Sequence, residues 1–174
     1  FVVIAIISLL GGWIFPRMES QELISRSEKY AHYFIAHLNY KIYKDFLVPT
    51  LKINKEIDLE NNHRQFKKLD RVIRENLYGL NINKLYLYDM EGHIIYSTVP
   101  EHVGFTLDRG SNKNLDSAIR GIPASKLRMA GSTDSKGSFV METLLGSYYP
   151  FYEEEIKENR KGRQVGVLEI YQDM

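Results

Sequence analysis

The sequence predicts an α+β domain in which helices come first and one antiparallel sheet follows. Two observations favour this order. Residues 17–47 contain neither Gly nor Pro, and their apolar side chains recur at helical steps of three, four and seven. After Gly79 the apolar residues alternate every second position, which is typical of strands joined by hairpins.

Composition excludes several classes of function. The chain has 174 residues, 44% of them hydrophobic, which is enough for one domain with a buried core and an appendage. Its 23 basic and 22 acidic residues are well mixed, so the concentrated positive charge that nucleic-acid binding needs is absent. Cysteine is absent too, which excludes disulfides, thiol nucleophiles and thiolate metal sites.

Residues 1–16 are predicted to be a transmembrane helix that is truncated at its N-terminal end. The first fifteen carry no charge, and Trp13 stands where an interfacial aromatic anchor belongs. Fifteen helical residues reach about 22 Å, short of the roughly 30 Å of a hydrocarbon core. A signal-peptide segment and a buried core helix are the alternatives, although no small-residue cleavage site follows.

A stalk helix and linker are predicted over residues 17–60, with Pro49 kinking or ending the helix. So long a helix favours pairing with a second copy of the chain, a homodimer, but it can equally pack on its own sheet. Its apolar stripe consists of Leu23, Tyr30, Phe34, Leu38, Ile42 and Phe46.

The remaining residues, 61–174, are predicted to form the folded domain. After a polar linker, Lys52–Asn62, a second helix ends at Gly79, which takes the C-cap position. A third, short helix is closed by Gly121. The predicted elements are the helices His63–Tyr78 and Asn112–Arg120, the strands Lys84–Asp89, His93–Thr98 and Lys126–Ala130, one strand from Ser138 to Tyr152 bent at Gly146, the polar turn Glu153–Gly162, and the strand Arg163–Tyr171.

Several short motifs occur in a characteristic order along this domain. They are Leu85-Tyr-Leu-Tyr-Asp89-x-x-Gly92-x-Ile94-x-x-Ser97-Thr98, then Gly104, Ala118-Ile-Arg-Gly121, Tyr148-Tyr-Pro150-Phe151 and Gly166-Val-Leu-Glu-Ile170. Their order and spacing resemble those of extracytoplasmic Cache (PAS-like) sensor domains, over roughly Arg17 to Met174.

The resemblance implies a long N-terminal helix and a five-stranded antiparallel PAS-like sheet with flanking helices around a small-molecule pocket. It implies a single-Cache input domain of a bacterial receptor in the inner (cytoplasmic) membrane, with the sensor on the periplasmic side. A histidine kinase, diguanylate cyclase or chemotaxis module would lie in the cytoplasm. A ligand-free dimerisation or periplasmic protein-binding module of such a receptor is the alternative.

Candidate ligand-binding residues are polar or aromatic side chains of the predicted strands. Lys126 and Arg128 are two residues apart, so on a strand they share a face and favour an organic anion. Alternatively, Asp89 or Glu142 holds an amine. A further reading places the two cations on an exposed edge and the tyrosines in an ordinary core. The full predicted set is Tyr88, Tyr96, Thr98, Lys126, Arg128, Glu142 and Tyr148.

No enzymatic function is predicted, and neither a metal nor a cofactor is expected. The five histidines lack the spacing of a zinc helix, and no Gly-x-Ser-x-Gly or phosphate-cradling motif occurs. An anchored hydrolase would require a nucleophile and base that these residues do not supply.

Overall fold

The computed structural model describes residues 2–54, 56–107, 110–133, 139–153 and 162–174, with side chains from Glu22 onward except at 132–133 and 140. Its helices are α1 (Val2–Lys41), α2 (Val48–Asn54), α3 (His63–Leu77) and α4 (Lys113–Ile119), with a π-helical segment at Ile42–Leu47 and a 3-10 turn at Pro100–His102. Its strands are β1 (Ile82–Tyr88), β2 (Ile94–Ser97), β3 (Ala124–Thr133), β4 (Phe139–Tyr152) and β5 (Gln164–Asp173).

The five strands form one sheet in the order β2-β1-β5-β4-β3, and every neighbouring pair is antiparallel. The predicted α+β class and five-stranded antiparallel sheet are therefore confirmed. β4 runs unbroken through Gly146, which pairs with Lys126 on one side and Tyr171 on the other. Most of the predicted polar turn, residues 154–161, lies outside the described residues.

The helices α3 and α4 are capped in the same way, by an Asn before the first turn and a Gly after the last. The side chain of Asn62 accepts a hydrogen bond from the backbone N–H of Gln65, and Asn112 does the same for Leu115. An Asn at this position satisfies a backbone N–H that the first helical turn leaves without a partner. A glycine with positive φ follows both helices, Gly79 at 77° and Gly121 at 83°, which confirms the two predicted C-caps.

Pro49 does not end the first helical segment. The chain stays helical through α2 to Asn54, so the linker begins after that residue rather than at Lys52. Proline cannot donate a backbone hydrogen bond, and its ring clashes with the carbonyl four residues earlier in a regular helix. The wider π turn lies directly before Pro49, where the N–H of Val48 donates to the carbonyl of Tyr43, five residues back.

The sheet buries both of its faces. One face packs against α1, the π-helical segment and α3, and the other against α4. The core on the first face includes Phe34, Leu38, Ile42, Phe46, Leu69, Ile73, Leu85, Leu87, Leu168 and Ile170. The core on the second face includes Tyr86, Tyr88, Leu115, Ala118, Tyr148, Val167 and Tyr171.

The predicted apolar stripe of the first helix therefore divides into two parts. From Phe34 onward it is buried against the chain's own sheet. Towards the N-terminus Leu23 and Tyr30 remain exposed, at 58% and 43%. Packing on the sheet accounts for the C-terminal part of the stripe, and the N-terminal part is left uncovered.

A β-bulge in β2 places the side chains of Ile94 and Tyr96 on opposite faces of the sheet. Leu87 pairs with Tyr96, but the next residue, Tyr88, pairs with Ile94, so Ile95 is an extra residue in β2. Side chains of a strand alternate between faces, and an extra residue resets that alternation. As a result Ile94 lies in the core beside α4, whereas Tyr96 lies in the core beside α1 and α3.

Two polar contacts join α1 to β4. The hydroxyl of Tyr149 donates to the backbone carbonyl of Glu28 at 3.2 Å, and the N–H of Tyr152 donates to Oδ1 of Asn39 at 3.1 Å. Both tyrosines are buried. These bonds fix the position of the helix along the strand, which apolar packing alone does not do.

No described helix contains a hydrophobic run sufficient to traverse a lipid bilayer.

Stability at alkaline pH tests the α1–β4 contact. Burial, and then the charge of Glu28, raise the pKa of Tyr149 to about 12. The unfolded pKa is about 10, so the contribution of this hydroxyl is complete below pH 10 and is lost as the pH rises towards 12. The unfolding free energy of wild type should therefore fall by about 2 kcal/mol more than that of Tyr149→Phe between pH 9 and pH 12. Urea denaturation at each pH measures both curves, and parallel curves would contradict the assignment.

Candidate functional site

A cavity of about 560 Å³ lies on the face of the sheet opposite α1. Its walls come from β1, β4 and β5, the edge strand β3, and the segment between β2 and α4. This volume is within the range of small-molecule binding sites. The lining residues are Tyr86, Tyr88, Ile94, His102, Gly104, Phe105, Thr106, Leu107, Asn112, Arg128, Tyr148, Glu169 and Tyr171.

Glu169 is the buried charged group of this cavity. It lies in β5, flanked on the same face by Val167 and Tyr171, and is only 1% exposed. The hydroxyl of Tyr88 donates to its Oε2 at 2.5 Å. Its other carboxylate oxygen, Oε1, has no hydrogen-bond partner among the described residues.

Tyrosines surround this carboxylate. Burial, and then the charge of Glu169, raise the pKa of Tyr148 to about 12, and the same two causes raise the pKa values of Tyr88 and Tyr171 still further. These three hydroxyls therefore stay protonated at physiological pH. They are able to donate hydrogen bonds into the cavity or to the carboxylate.

Arg128 lies beside Tyr148 and Tyr171. Its guanidinium donates to the hydroxyl of Tyr148 at 3.0 Å and lies 5.6 Å from the ring centroid of Tyr171. The side-chain amide of Asn112 donates to the same hydroxyl at 3.3 Å. The oxygen of Tyr148 thus accepts two hydrogen bonds, and Arg128 is held by a hydroxyl and a ring rather than by a carboxylate.

An aromatic stack closes another side of the cavity. The hydroxyl of Tyr86 and Nδ1 of His102 are 2.9 Å apart and share a hydrogen bond. The imidazole lies between the rings of Tyr86 and Phe105, at centroid distances of 5.7 and 6.1 Å. Phe105 is itself 62% exposed, so this wall borders solvent.

A second, basic cavity of about 470 Å³ adjoins the first. The two share Leu107, Asn112 and Arg128. The basic cavity adds Lys113 and Lys126, and its remaining lining residues are Ser111 and Asn114. One elongated molecule is therefore able to contact both Glu169 in the first cavity and the cations that line the second.

Another cavity, of about 400 Å³, lies between α1 and β4. Its lining includes His32 and Asn39 but no carboxylate, Lys or Arg. Among the described residues, no three His, Asp or Glu side chains are grouped so as to hold a metal ion.

Two other cavities contain charged groups: one of about 410 Å³ includes Glu153 and Arg163, and one of about 530 Å³ includes Asp58, Glu60, Asp89 and His93. The cavity around Glu169 differs from them because its lining combines a buried carboxylate with an arginine and several tyrosine hydroxyls.

The predicted binding residues fall into three groups. Tyr88, Arg128 and Tyr148 line the main cavity, and Lys126 lines the adjoining basic one, so the two cations do share a face of β3. Glu142 lies farther along β4, opposite Ala130, and does not line the main cavity.

Tyr96 and Thr98 are placed elsewhere. The hydroxyl of Tyr96 donates to Asp70 of α3 at 2.9 Å, on the opposite face of the sheet. Oγ1 of Thr98 accepts from the N–H of Leu85 at 3.0 Å and so extends the β1–β2 ladder. The bulge at Ile95 accounts for the position of Tyr96, because it reverses the side-chain alternation of β2.

Ten of the thirteen lining residues were not among the predicted ones, and they include Tyr86, Tyr171 and Glu169. The signal that identifies the last is a lone acidic residue inside the apolar run Val165-Gly-Val-Leu-Glu-Ile-Tyr171. A carboxylate at the centre of a buried strand is costly unless it is paired, so its presence there indicates a function.

Comparison with known proteins rests on structure alone. No protein-family model matches the chain, and no curated protein matches it. The sensor domain of the Vibrio cholerae histidine kinase DctB aligns over 94% of this chain and 57% of its own, with 18% sequence identity and a TM-score of 0.50. The chain has the fold of this sensor domain. The predicted resemblance to Cache (PAS-like) sensor domains is thereby confirmed at the level of the fold.

Two further solved structures align at lower TM-scores. The periplasmic domain of RsbU from Chlamydia trachomatis aligns over 92% of this chain and 55% of its own, with 15% identity and a TM-score of 0.37. An extracellular ligand binding receptor from Desulfohalobium retbaense aligns over 86% of this chain and 24% of its own, with 10% identity and a TM-score of 0.39. The chain thus spans between about a quarter and three fifths of these sensor structures.

The hydrogen bond from Tyr88 to Glu169 should contribute measurably to folding. Tyr88→Phe leaves Oε2 of a buried carboxylate without that donor, so we expect a loss of about 1.5–3 kcal/mol in unfolding free energy. Urea denaturation measures it. The matched control is Tyr78→Phe, since Tyr78 is 91% exposed, and it should change stability by less than about 0.5 kcal/mol. Equal effects in the two variants would show that the bond contributes nothing.

Proposed function

We propose that this chain is the extracytoplasmic, ligand-sensing input domain of a bacterial transmembrane signal-transduction receptor. The observation that carries the proposal is the cavity around Glu169, Tyr148 and Arg128 within a fold shared with the DctB sensor domain. Its volume, aromatic walls and few convergent polar groups are those of a site for a small metabolite. The receptor's output module is a histidine kinase, a diguanylate cyclase or a chemotaxis module.

Binding, rather than catalysis, is the activity that the cavity supports. Its described lining contains no Ser, Cys or Lys nucleophile, and His102 is engaged with the hydroxyl of Tyr86. A nucleophile and a base within hydrogen-bond reach of one another are what covalent catalysis requires. The tyrosine hydroxyls, with their raised pKa values, are hydrogen-bond donors at neutral pH.

An anionic group of the ligand is proposed to lie at the basic end of the site. Lys113, Lys126 and Arg128 line the adjoining cavity, with the amide of Asn112 beside them. Cations and amide donors that converge on one space are the usual means of holding a carboxylate.

A route from the cavity to α1 runs across the central strands. Tyr148 faces the cavity and the next residue, Tyr149, bonds to Glu28 of α1. In β5 Glu169 faces the cavity, while its neighbours Leu168 and Ile170 pack beneath the helices. A ligand that binds one arrangement of these strands more tightly would bias the position of α1.

The membrane arrangement follows the sequence prediction. We propose residues 1–16 as a membrane helix in the bacterial inner membrane, residues 17–60 as the stalk and residues 61–174 as the periplasmic sensor. The continuous helix from Val2 to Lys41 is compatible with a stalk that leads from the bilayer to the sheet.

A homodimer through α1 is proposed on the exposed part of its stripe, Leu23 and Tyr30, together with the neighbouring Tyr33. Leu23, Tyr30 and Tyr33 are exposed at 58%, 43% and 74%, and steps of seven and three place them on one side of the helix. A second copy of α1 would cover them. The alternative is that the chain is a ligand-free dimerisation or periplasmic protein-binding module. Such a module would use the same surface.

Sedimentation of the whole chain in detergent tests this surface. The double variant Leu23→Glu/Tyr33→Glu should weaken self-association at least about tenfold, because it places charges in an apolar interface. The control is Ile53→Glu, which changes an equally exposed apolar residue (77%) outside α1, and it should leave self-association unchanged. A monomeric wild type would contradict the proposed dimer.

Thermal unfolding with organic acids, amino acids and amines tests the sensor function. A ligand at 100 times its Kd adds about 2.7 kcal/mol, which raises the Tm by several degrees for a chain of this size. Tyr148→Phe should reduce this shift. Tyr96→Phe, which removes a buried hydroxyl on the other face of the sheet, should not. A Tm that no compound class changes would favour the ligand-free alternative.

A further inference from the structure

Glu169 has one direct hydrogen bond and no directly bonded cation among the described residues, although the hydroxyls of Tyr148 and Tyr171 lie close enough for the carboxylate to raise their pKa values. The residue is 1% exposed, and Oε1 has no hydrogen-bond partner within the described part of the chain. An ionised oxygen removed from water without a compensating bond costs far more than a neutral one. Tyr88 satisfies only the other oxygen, Oε2. The missing partner must be a donor, and a positively charged donor would compensate the carboxylate best.

Arg128 does not supply that partner. Its NH2 group donates to the hydroxyl of Tyr148, and its guanidinium lies over the ring of Tyr171. Among the described residues no hydrogen bond or ion pair joins it to an oxygen of Glu169, although the charge of the carboxylate contributes to raising the pKa of Arg128, and the residue is exposed. The cation of the site is therefore held by Tyr148 and Tyr171, and the carboxylate has no directly bonded cation among the described residues.

The surroundings of Glu169 suit an ammonium group in particular. Such a group has three N–H donors. Oε1 offers one acceptor, and the hydroxyl oxygen of Tyr88, which gives its own proton to Oε2, offers another. The ring centroid of Tyr86 lies 6.2 Å from that of Tyr88 and 6.0 Å from that of Tyr171. Aromatic faces attract cations, and more strongly where water is excluded.

We propose that the ligand of this cavity carries a primary ammonium group, which binds Oε1 of Glu169 within the cluster of Tyr86, Tyr88 and Tyr171. The opposite end of the ligand is anionic and lies towards Arg128 and Lys126. This inference rests on the proposed ligand-sensing function and specifies the chemical class of the ligand. A zwitterion also balances the charges of the site, one carboxylate in the first cavity and the cations that line the second.

Calorimetric titration of the whole chain with matched compounds tests the proposal. The amines are β-alanine, γ-aminobutyrate and putrescine, and the compounds without an amine are propionate, butyrate and succinate. At least one of the zwitterions β-alanine and γ-aminobutyrate should bind, and at least about tenfold more tightly than propionate or butyrate of the same length, because a charge-assisted bond to a buried carboxylate is lost in the acid. Putrescine has no anionic end and should bind more weakly than the zwitterion. This comparison uses wild type and does not depend on whether a variant folds.

Variants of Glu169 and Arg128 test whether the ammonium group binds Glu169. Glu169→Gln keeps the shape of the side chain and should weaken the amine about tenfold to a hundredfold. The same change should leave the affinity for an amine-free acid within about threefold. Arg128→Gln is the reciprocal control and should weaken acids and zwitterions alike. Tetramethylammonium, which has no N–H donor, should bind more weakly than the primary amines.

The outcomes separate this inference from the function on which it rests. Binding of acids without any amine would overturn the ammonium assignment and leave the sensor function standing. Equal affinity for tetramethylammonium, or an amine affinity that Glu169→Gln leaves unchanged, would overturn it too. No binding by either class would overturn both proposals.

Discussion

The fold depends on one strand, β5, being buried on both of its faces. It lies between β1 and β4 in the middle of the sheet, and its residues from Val167 to Tyr171 are all inaccessible or nearly so. One face requires α1 and α3 above it, and the other requires α4 below. A strand in this position normally carries only apolar side chains. Glu169 departs from that rule, and the tyrosines that surround it are the local compensation.

Because the carboxylate is central, the tyrosines around it serve packing and polarity together. Their rings fill the core beside α4, while their hydroxyls face a charge that would otherwise be isolated. The same residues thus stabilise the domain and line its cavity. Changes in the cavity should therefore affect stability as well as binding, which is usual where a site is built into a core rather than added in a loop.

Much of the fold was predictable from sequence, since its signals are local. Alternating apolar residues located the strands, and Gly79 and Gly121 marked helix ends because only glycine takes positive φ easily. The continuation of the helix past Pro49 was not predictable, because a π turn has no clear sequence pattern. Of the candidate cavities, the two cations of β3 were predicted from their spacing, and Tyr148 was predicted as a source of a hydroxyl. Tyr96 was assigned without knowledge of the bulge at Ile95. Glu169 was not predicted although it interrupts an apolar run, because two of the three hydroxyls around it, those of Tyr88 and Tyr148, come from neighbouring strands.

The hydrogen bond from Tyr149 to the carbonyl of Glu28 holds the long helix α1 against the sheet. It joins the sheet to α1 well inside that helix, which continues to Val2. At 1.5 Å per residue, about 39 Å of helix extends beyond this point. A lever of that length multiplies small rotations: a tilt of about 5° at the fulcrum displaces the far end by about 3 Å. A small adjustment of β4 that tilted α1 would thus be amplified with no change in the helix itself.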